Sequence, residues 1–137
     1  MKPKLRLYNM FKADITQEPY IAFNIPKYKR SLFAQLRGGI LPLHIETGRF
    51  LNRPVDERTC MLCETDAVED EIHFVIHCPL YDDIRSILFA KATHMFPDFH
   101  LYDELDKFVY LLKDFQKETI NFIHDACQRR SSTIYTQ

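Results

Sequence analysis

The sequence predicts a small, mainly α domain, on three observations. Apolar residues recur at helical spacing in several separate stretches. Strand signals are few. Proline and glycine fall at the ends of the helical stretches rather than inside them. At 137 residues one domain is expected, and 46% hydrophobic content with 13% aromatic is enough to build a core.

In chain order, Leu5, Tyr8, Met10 and Phe11 suggest a short amphipathic helix, and Pro19 and Pro26 bracket a linker that holds Tyr20, Ile21 and Phe23. Lys27 to Arg37 reads as a helix. Tyr28, Leu32, Phe33 and Leu36 form its apolar face, Lys27, Arg30 and Arg37 fall opposite, and Gly38-Gly39 supplies the stop. Ile40 to Ile45 reads as a short extended connection. Asp66 reads as the N-cap of a helix with Glu69 three residues on, running through Glu71, His73, Val75 and Ile76 until Pro79 ends it. Ile84, Ile87, Leu88, Ala92 and Met95 mark the next helix, with Asp82 and Asp83 in its first turn, where carboxylates suit the helix dipole. Pro97 ends it. Helices over Tyr102 to Phe115 and Glu118 to Gln128 complete a single domain over residues 1–128, and the polar run 129–137 is expected to fray. There is no internal repeat.

The chemistry is concentrated in nineteen residues: Cys60-x2-Cys63-x9-His73-x4-Cys78. Zinc takes about four nitrogen or sulfur ligands in a tetrahedron. A Cys-x2-Cys turn aims two thiolates at one point, and a second short element within residues 57–79 delivers the other pair. His77 lies one turn after His73 and is the alternative imidazole. His73 is preferred because His77 adjoins Cys78 and crowds it. Four protein ligands leave no open position, so the expected site is structural and the chain is not expected to be an enzyme. Buried structural thiols are the competing reading. An odd thiol count around a Cys-x2-Cys argues against a disulfide framework.

The net charge of −1 names no partner, but its distribution does. Residues 1–50 carry nine Lys+Arg against three Asp+Glu, and residues 51–90 carry three against nine. The basic half is the candidate surface for an anionic partner. No apolar run approaches the ~20 residues that span a membrane. No apolar segment follows the charged start, Met1-Lys2-Pro3-Lys4. A reduced intracellular setting, nucleus or cytoplasm, is expected.

A longer string includes these ligands: Arg30-x5-Leu36-Arg37, Glu46-Thr47-Gly48-Arg49, Glu57-Arg58-x-Cys60-x2-Cys63, Val68-Glu69-Asp70-Glu71-x-His73-Phe74, Cys78-Pro79-x-Tyr81, then Arg85. It resembles the zinc-binding segment that follows the reverse transcriptase domain in many animal non-LTR retrotransposons, over about residues 28–90. The resemblance implies Cys60, Cys63, His73 and Cys78 as zinc ligands and a role in holding element RNA or target DNA near a polymerase. It does not imply polymerase activity. A remnant of such an element, or a fragment of a longer element protein, is expected.

Other constellations read as structural. Tyr81-Asp82-Asp83 lacks one residue of the Tyr-x-Asp-Asp turn of reverse transcriptases, and its aspartates start a helix. His44-x-Glu46 before Cys60-x2-Cys63 is too close for a zinc deaminase, and no proline precedes Cys60. His124-x2-Cys127 shares a helical face with Ile120 and Ile123 and reads as core, with a second metal site as the alternative. His94 and His100 read as surface residues. The three glycines build no phosphate loop, and no small-molecule substrate is indicated. Phosphate contacts are assigned to Lys27, Lys29, Arg30, Arg37 and Arg49, with Arg53 and Arg58 as further candidates, and Tyr20, Phe23 and Tyr28 as candidates for stacking on bases. The alternative is a scaffold that docks on a reverse transcriptase domain or another protein. The acidic residues Glu64, Asp66, Glu69, Asp70 and Glu71, which repel phosphate, support it.

Overall fold

The computed structural model describes residues 25–136 and is mainly helical, with no strand among them. The expectations for Leu5 to Phe11 and for Tyr20, Ile21 and Phe23 lie outside those residues. Helix α1, Lys27–Gly38, buries Phe33 and Leu36 and stops where Gly39 takes φ 72°, a left-handed conformation open to glycine. The Gly39 and Ile40 amides close the turn on the Leu36 and Gln35 carbonyls.

The segment read as an extended connection is instead partly helical. Leu41 and Leu43 are buried, and α2, His44–Phe50, begins immediately after them. Its seven residues include Gly48 and lack a side-chain cap, so no propensity or capping signal marked it. Tertiary bonds hold it: the Ile45 amide donates to the Glu69 carbonyl, and the His44 amide to the Glu69 carboxylate at 2.7 Å.

Helix α3, Asp82–Met95, helix α4, Glu104–Asp114, and helix α5, Gln116–Thr136, follow the expected stretches. Asp103 caps α4 by accepting from the Asp106 amide at 2.7 Å. Helix α5 runs past Gln128, where the apolar pattern stops, to Thr136. Two guanidiniums continue it: Arg129 grips the Asp83 carboxylate and Arg130 the Glu69 carboxylate. The expected fray point is therefore an anchored turn. Helix α5 packs against α1, α3 and α4 and so lies at the centre of the domain. Its Ile120, Ile123 and Ala126 are fully buried. On the α3–α4 side the core is aromatic. Phe99 lies 5.2 Å from Phe89 and 5.5 Å from Tyr110, and Phe96 lies 5.0 Å from Tyr110. Most of these contacts are edge-on, which the ring quadrupole favours.

Candidate metal centre

Three local features bring the four ligands together. The first is a short antiparallel pairing that frames the Cys-x2-Cys turn. Thr59 bridges Val68, the Cys60 amide donates to Ala67 at 2.8 Å, and the Glu69 amide donates to Arg58 at 2.9 Å. Asp66 turns the returning chain with φ 57°, a left-handed conformation that aspartate tolerates better than most residues. Asp66 is therefore not a helix cap, and residues 67–69 are not helical. The cap lies four residues later. Asp70 Oδ1 accepts from the His73 amide at 2.8 Å, and the helix starts at Glu71.

The second feature is a π turn over His73–His77. In an α-helix residues five apart point about 140° away from each other. The Cys78 amide instead donates to the His73 carbonyl at 2.7 Å, an i→i+5 bond that widens the turn. His73 and Cys78 thereby reach the same side. The third feature is Pro79, which opens a 3-10 turn over Pro79–Tyr81 and leads directly into α3.

The resulting cluster is Cys60, Cys63, His73 and Cys78, with the ligand atoms all within 4.8 Å of one another. Zn–S of ~2.3 Å and Zn–N of ~2.0 Å in a tetrahedron require edges of about 3.8 Å between sulfurs and about 3.5 Å between sulfur and nitrogen. Cys60 Sγ to Cys78 Sγ is 3.9 Å, and Cys63 Sγ to His73 Nε2 is 3.5 Å. A disulfide needs ~2.05 Å, and all of these cysteines are free thiols. The donor set and its edges fit a divalent ion such as zinc. Cys60, His73 and Cys78 are buried and Cys63 is half-buried. His77 lies outside the cluster, exposed, with its Nε2 bonded to Glu104.

The groups of the cluster perturb one another's protonation. A hydrogen bond shared with Cys78, together with burial, pushes the Cys60 thiol up to about 12, while the same hydrogen bond lowers Cys78. Metal binding takes the thiolate form of cysteine, so a metal held here would have to displace the proton that Cys60 retains. Burial opposes charge on His73, but hydrogen bonds to Cys60 and Cys63 outweigh it and raise its pKa. A divalent ion resolves this competition by displacing the protons, so binding must release them.

Around the cluster lies a set of buried charges that sequence pattern did not identify as buried. Glu69 is 2% exposed and takes a two-pronged contact from Arg130, both bonds at 2.8 Å. Burial opposes the Arg130 charge, but the Glu69 carboxylate outweighs it and raises the Arg130 pKa. Arg85 donates to the Val75 and Phe74 carbonyls at 2.8 and 3.2 Å, satisfying carbonyls of the π turn. Arg58 donates to the Arg53 and Ile45 carbonyls at 2.9 and 3.0 Å. A signal did exist for two of them. Arg85 shares a helical stripe with Leu88 and Ala92, and Arg130 with Ile123 and Ala126. A charge on an apolar stripe asks for a buried partner. Glu71 is also buried, so of the five acidic residues expected to repel phosphate, Glu69 and Glu71 are not on the surface.

The basic residues assigned to phosphate do not form one stripe. Lys27 is exposed. Lys29 turns toward α5 and donates to Asn121 at 3.2 Å. Arg30 and Arg37 are half-buried. Arg37 sits about 40° around the helix from Phe33, with its guanidinium 5.9 Å from that ring, and burial lowers its pKa. Arg49 donates to Glu46 at 2.8 Å, Arg53 bonds His44 Nε2 at 2.9 Å, and Arg58 is buried. His44 and Glu46 are thus held in structural bonds apart from the cluster. Tyr28 is exposed and meets His124 edge-on at 5.4 Å. His124 and Cys127 are half-buried on α5, where burial pushes the Cys127 thiol up to about 11, and His94 and His100 are exposed. Among the described residues no helix is long and apolar enough to cross a membrane. No family model, curated protein or solved structure matches the chain.

Proposed function

We propose that the chain is a zinc-stapled helical module of the kind that accompanies non-LTR reverse transcriptases, and that it holds RNA or DNA through the basic residues of its first half without catalysis of its own. The observation that carries this reading is the convergence of Cys60, Cys63, His73 and Cys78 within 4.8 Å of one another, with two separations near those of a zinc tetrahedron. Three thiolates and an imidazole suit zinc, and four protein ligands leave no position for a substrate or a reactive water. Zinc then contributes to folding rather than to chemistry. The resemblance over residues 28–90 supports the retroelement origin and an intracellular setting. Of the basic residues, exposed Lys27 with half-buried Lys29, Arg30 and Arg49 beside it would supply the phosphate contacts, while Arg37 packs on Phe33, and binding would weaken steeply as salt rises.

A second reading has its own support. Phe50, Leu51, Val55 and Met61 are all more than half exposed, an apolar rim suited to docking on a protein such as a polymerase domain. Fluorescence anisotropy of the zinc-loaded chain with a structured RNA, at low and moderate salt, separates the two. The nucleic-acid reading predicts binding that falls with salt, weakens on charge reversal at Lys27 and Arg30, and collapses on chelation. Absence of binding at low salt overturns it in favour of the protein scaffold.

A further inference from the structure

We propose that the segment from Arg49 to Arg53 is a preorganised stacking platform for an unpaired base, so that the ligand is single-stranded nucleic acid. This rests on the nucleic-acid reading above and specifies which strand form is held and where.

Phe50 is 70% exposed and Leu51 63%. A large ring at that exposure contributes little to folding. Its neighbours explain it better than the core does. The Arg49 guanidinium lies 4.6 Å from the centre of the Phe50 ring, and its other contact is the buried carboxylate of Glu46. Arg53 is fixed by His44, whose Nδ1 in turn bonds the Thr59 carbonyl at 2.6 Å. An exposed ring with one guanidinium stacked against it, and an exposed arginine three residues on, offers a base a π-face and its phosphates positive charge, the combination that single strands require and a closed duplex cannot use.

The backbone that carries the ring is closed by its own hydrogen bonds. The Arg53 amide donates to the Gly48 carbonyl at 3.0 Å and the Asn52 amide to Arg49 at 3.2 Å, closing the helix end with Asn52 at φ 56°. Beneath it, Arg58 packs so tightly on Gly48 that a Cβ there would lie 2.6 Å from Arg58 Cγ.

The test uses the full zinc-loaded chain with a short uridine-rich single strand, as RNA and as DNA, and with the same sequence as a duplex. Phe50→Ala is expected to weaken single-strand binding roughly tenfold, leave duplex binding and the melting temperature unchanged, and show whether RNA or DNA is preferred. The chain has no tryptophan, so Phe50→Trp introduces a unique fluorophore that retains the ring. It is expected to keep single-strand affinity and to be quenched on binding. Unchanged affinity in Phe50→Ala with an unquenched tryptophan overturns the platform and leaves this rim to a protein partner. If that result comes with salt-dependent binding by the unsubstituted chain, the platform alone fails. If the unsubstituted chain binds no strand at low salt, the platform and the broader nucleic-acid reading fail together.

Discussion

The segment from Thr59 to Tyr81 and the helical half from Asp82 onward are stabilised by different physics. The first contains a π turn, a 3-10 turn, an isolated bridge and a left-handed aspartate, with buried Glu69 and Glu71 beside a cluster of thiols. Left to local propensity, such a segment does not fold. What ties it together is long-range: the four candidate metal ligands converge, and the guanidiniums of Arg85 and Arg130 reach into the segment from the helices. The second half is regular helix closed over interlocking aromatic rings. Loss of one interaction should therefore spread widely in the first region and stay local in the second.

The largest expected effect is at the ligands. Cys63→Ser should remove most of the zinc contribution, which for structural sites is on the order of 10 kcal/mol, and lower the melting temperature sharply in circular dichroism. An unchanged melting temperature breaks the contrast outright. Next is the aromatic half. Phe99→Ala should cost about 3–5 kcal/mol in denaturant unfolding, with zinc stoichiometry unchanged. If zinc is lost as well, the two regions are one cooperative unit. Arg130→Met comes next, because it leaves the buried Glu69 carboxylate without its counter-charge, held by the His44 amide alone, at roughly 3 kcal/mol, and it should weaken zinc retention at limiting metal. The smallest effect is at Asp83, where the Arg129 guanidinium holds the exposed carboxyl down to about 2. Because the folded value is depressed, this contribution is present above the ordinary carboxylate range and is lost as pH falls toward about 2. Asp83→Asn should lower stability slightly at neutral pH in pH-dependent melting, flatten its dependence over that acid window, and make no difference at the acid end.

The same contrast explains what the sequence made legible. Helices α3 and α4 have apolar residues at regular spacing and start where acidic residues cluster, so periodicity finds them within a residue or two. The ligand set was equally visible, because thiols and an imidazole at close range have few other uses. Three features were not visible. Asp66, with Glu69 three residues on, carries the local cap signal, and the pairing of Thr59 with Val68 overrides it and leaves the cap to Asp70. Helix α2 rests on bonds to Glu69, a residue far along the chain. The end of α5 rests on Arg129 and Arg130 finding Asp83 and Glu69. Each depends on a long-range partner that no local window contains. The basic residues of α1 show the opposite error: one-face spacing suggested a solvated stripe, whereas packing against α5 and Phe33 half-buries several of them.

The most direct test of a closed, four-ligand metal site is titration of the metal-free chain with cobalt(II), followed by visible absorption. A tetrahedral set of three thiolates and one imidazole predicts intense d–d bands with thiolate charge transfer. They should saturate at one equivalent, be displaced by stoichiometric zinc, and persist in a His77→Ala variant. A weak octahedral spectrum, or bands lost with His77→Ala and retained with His73→Ala, would contradict the account.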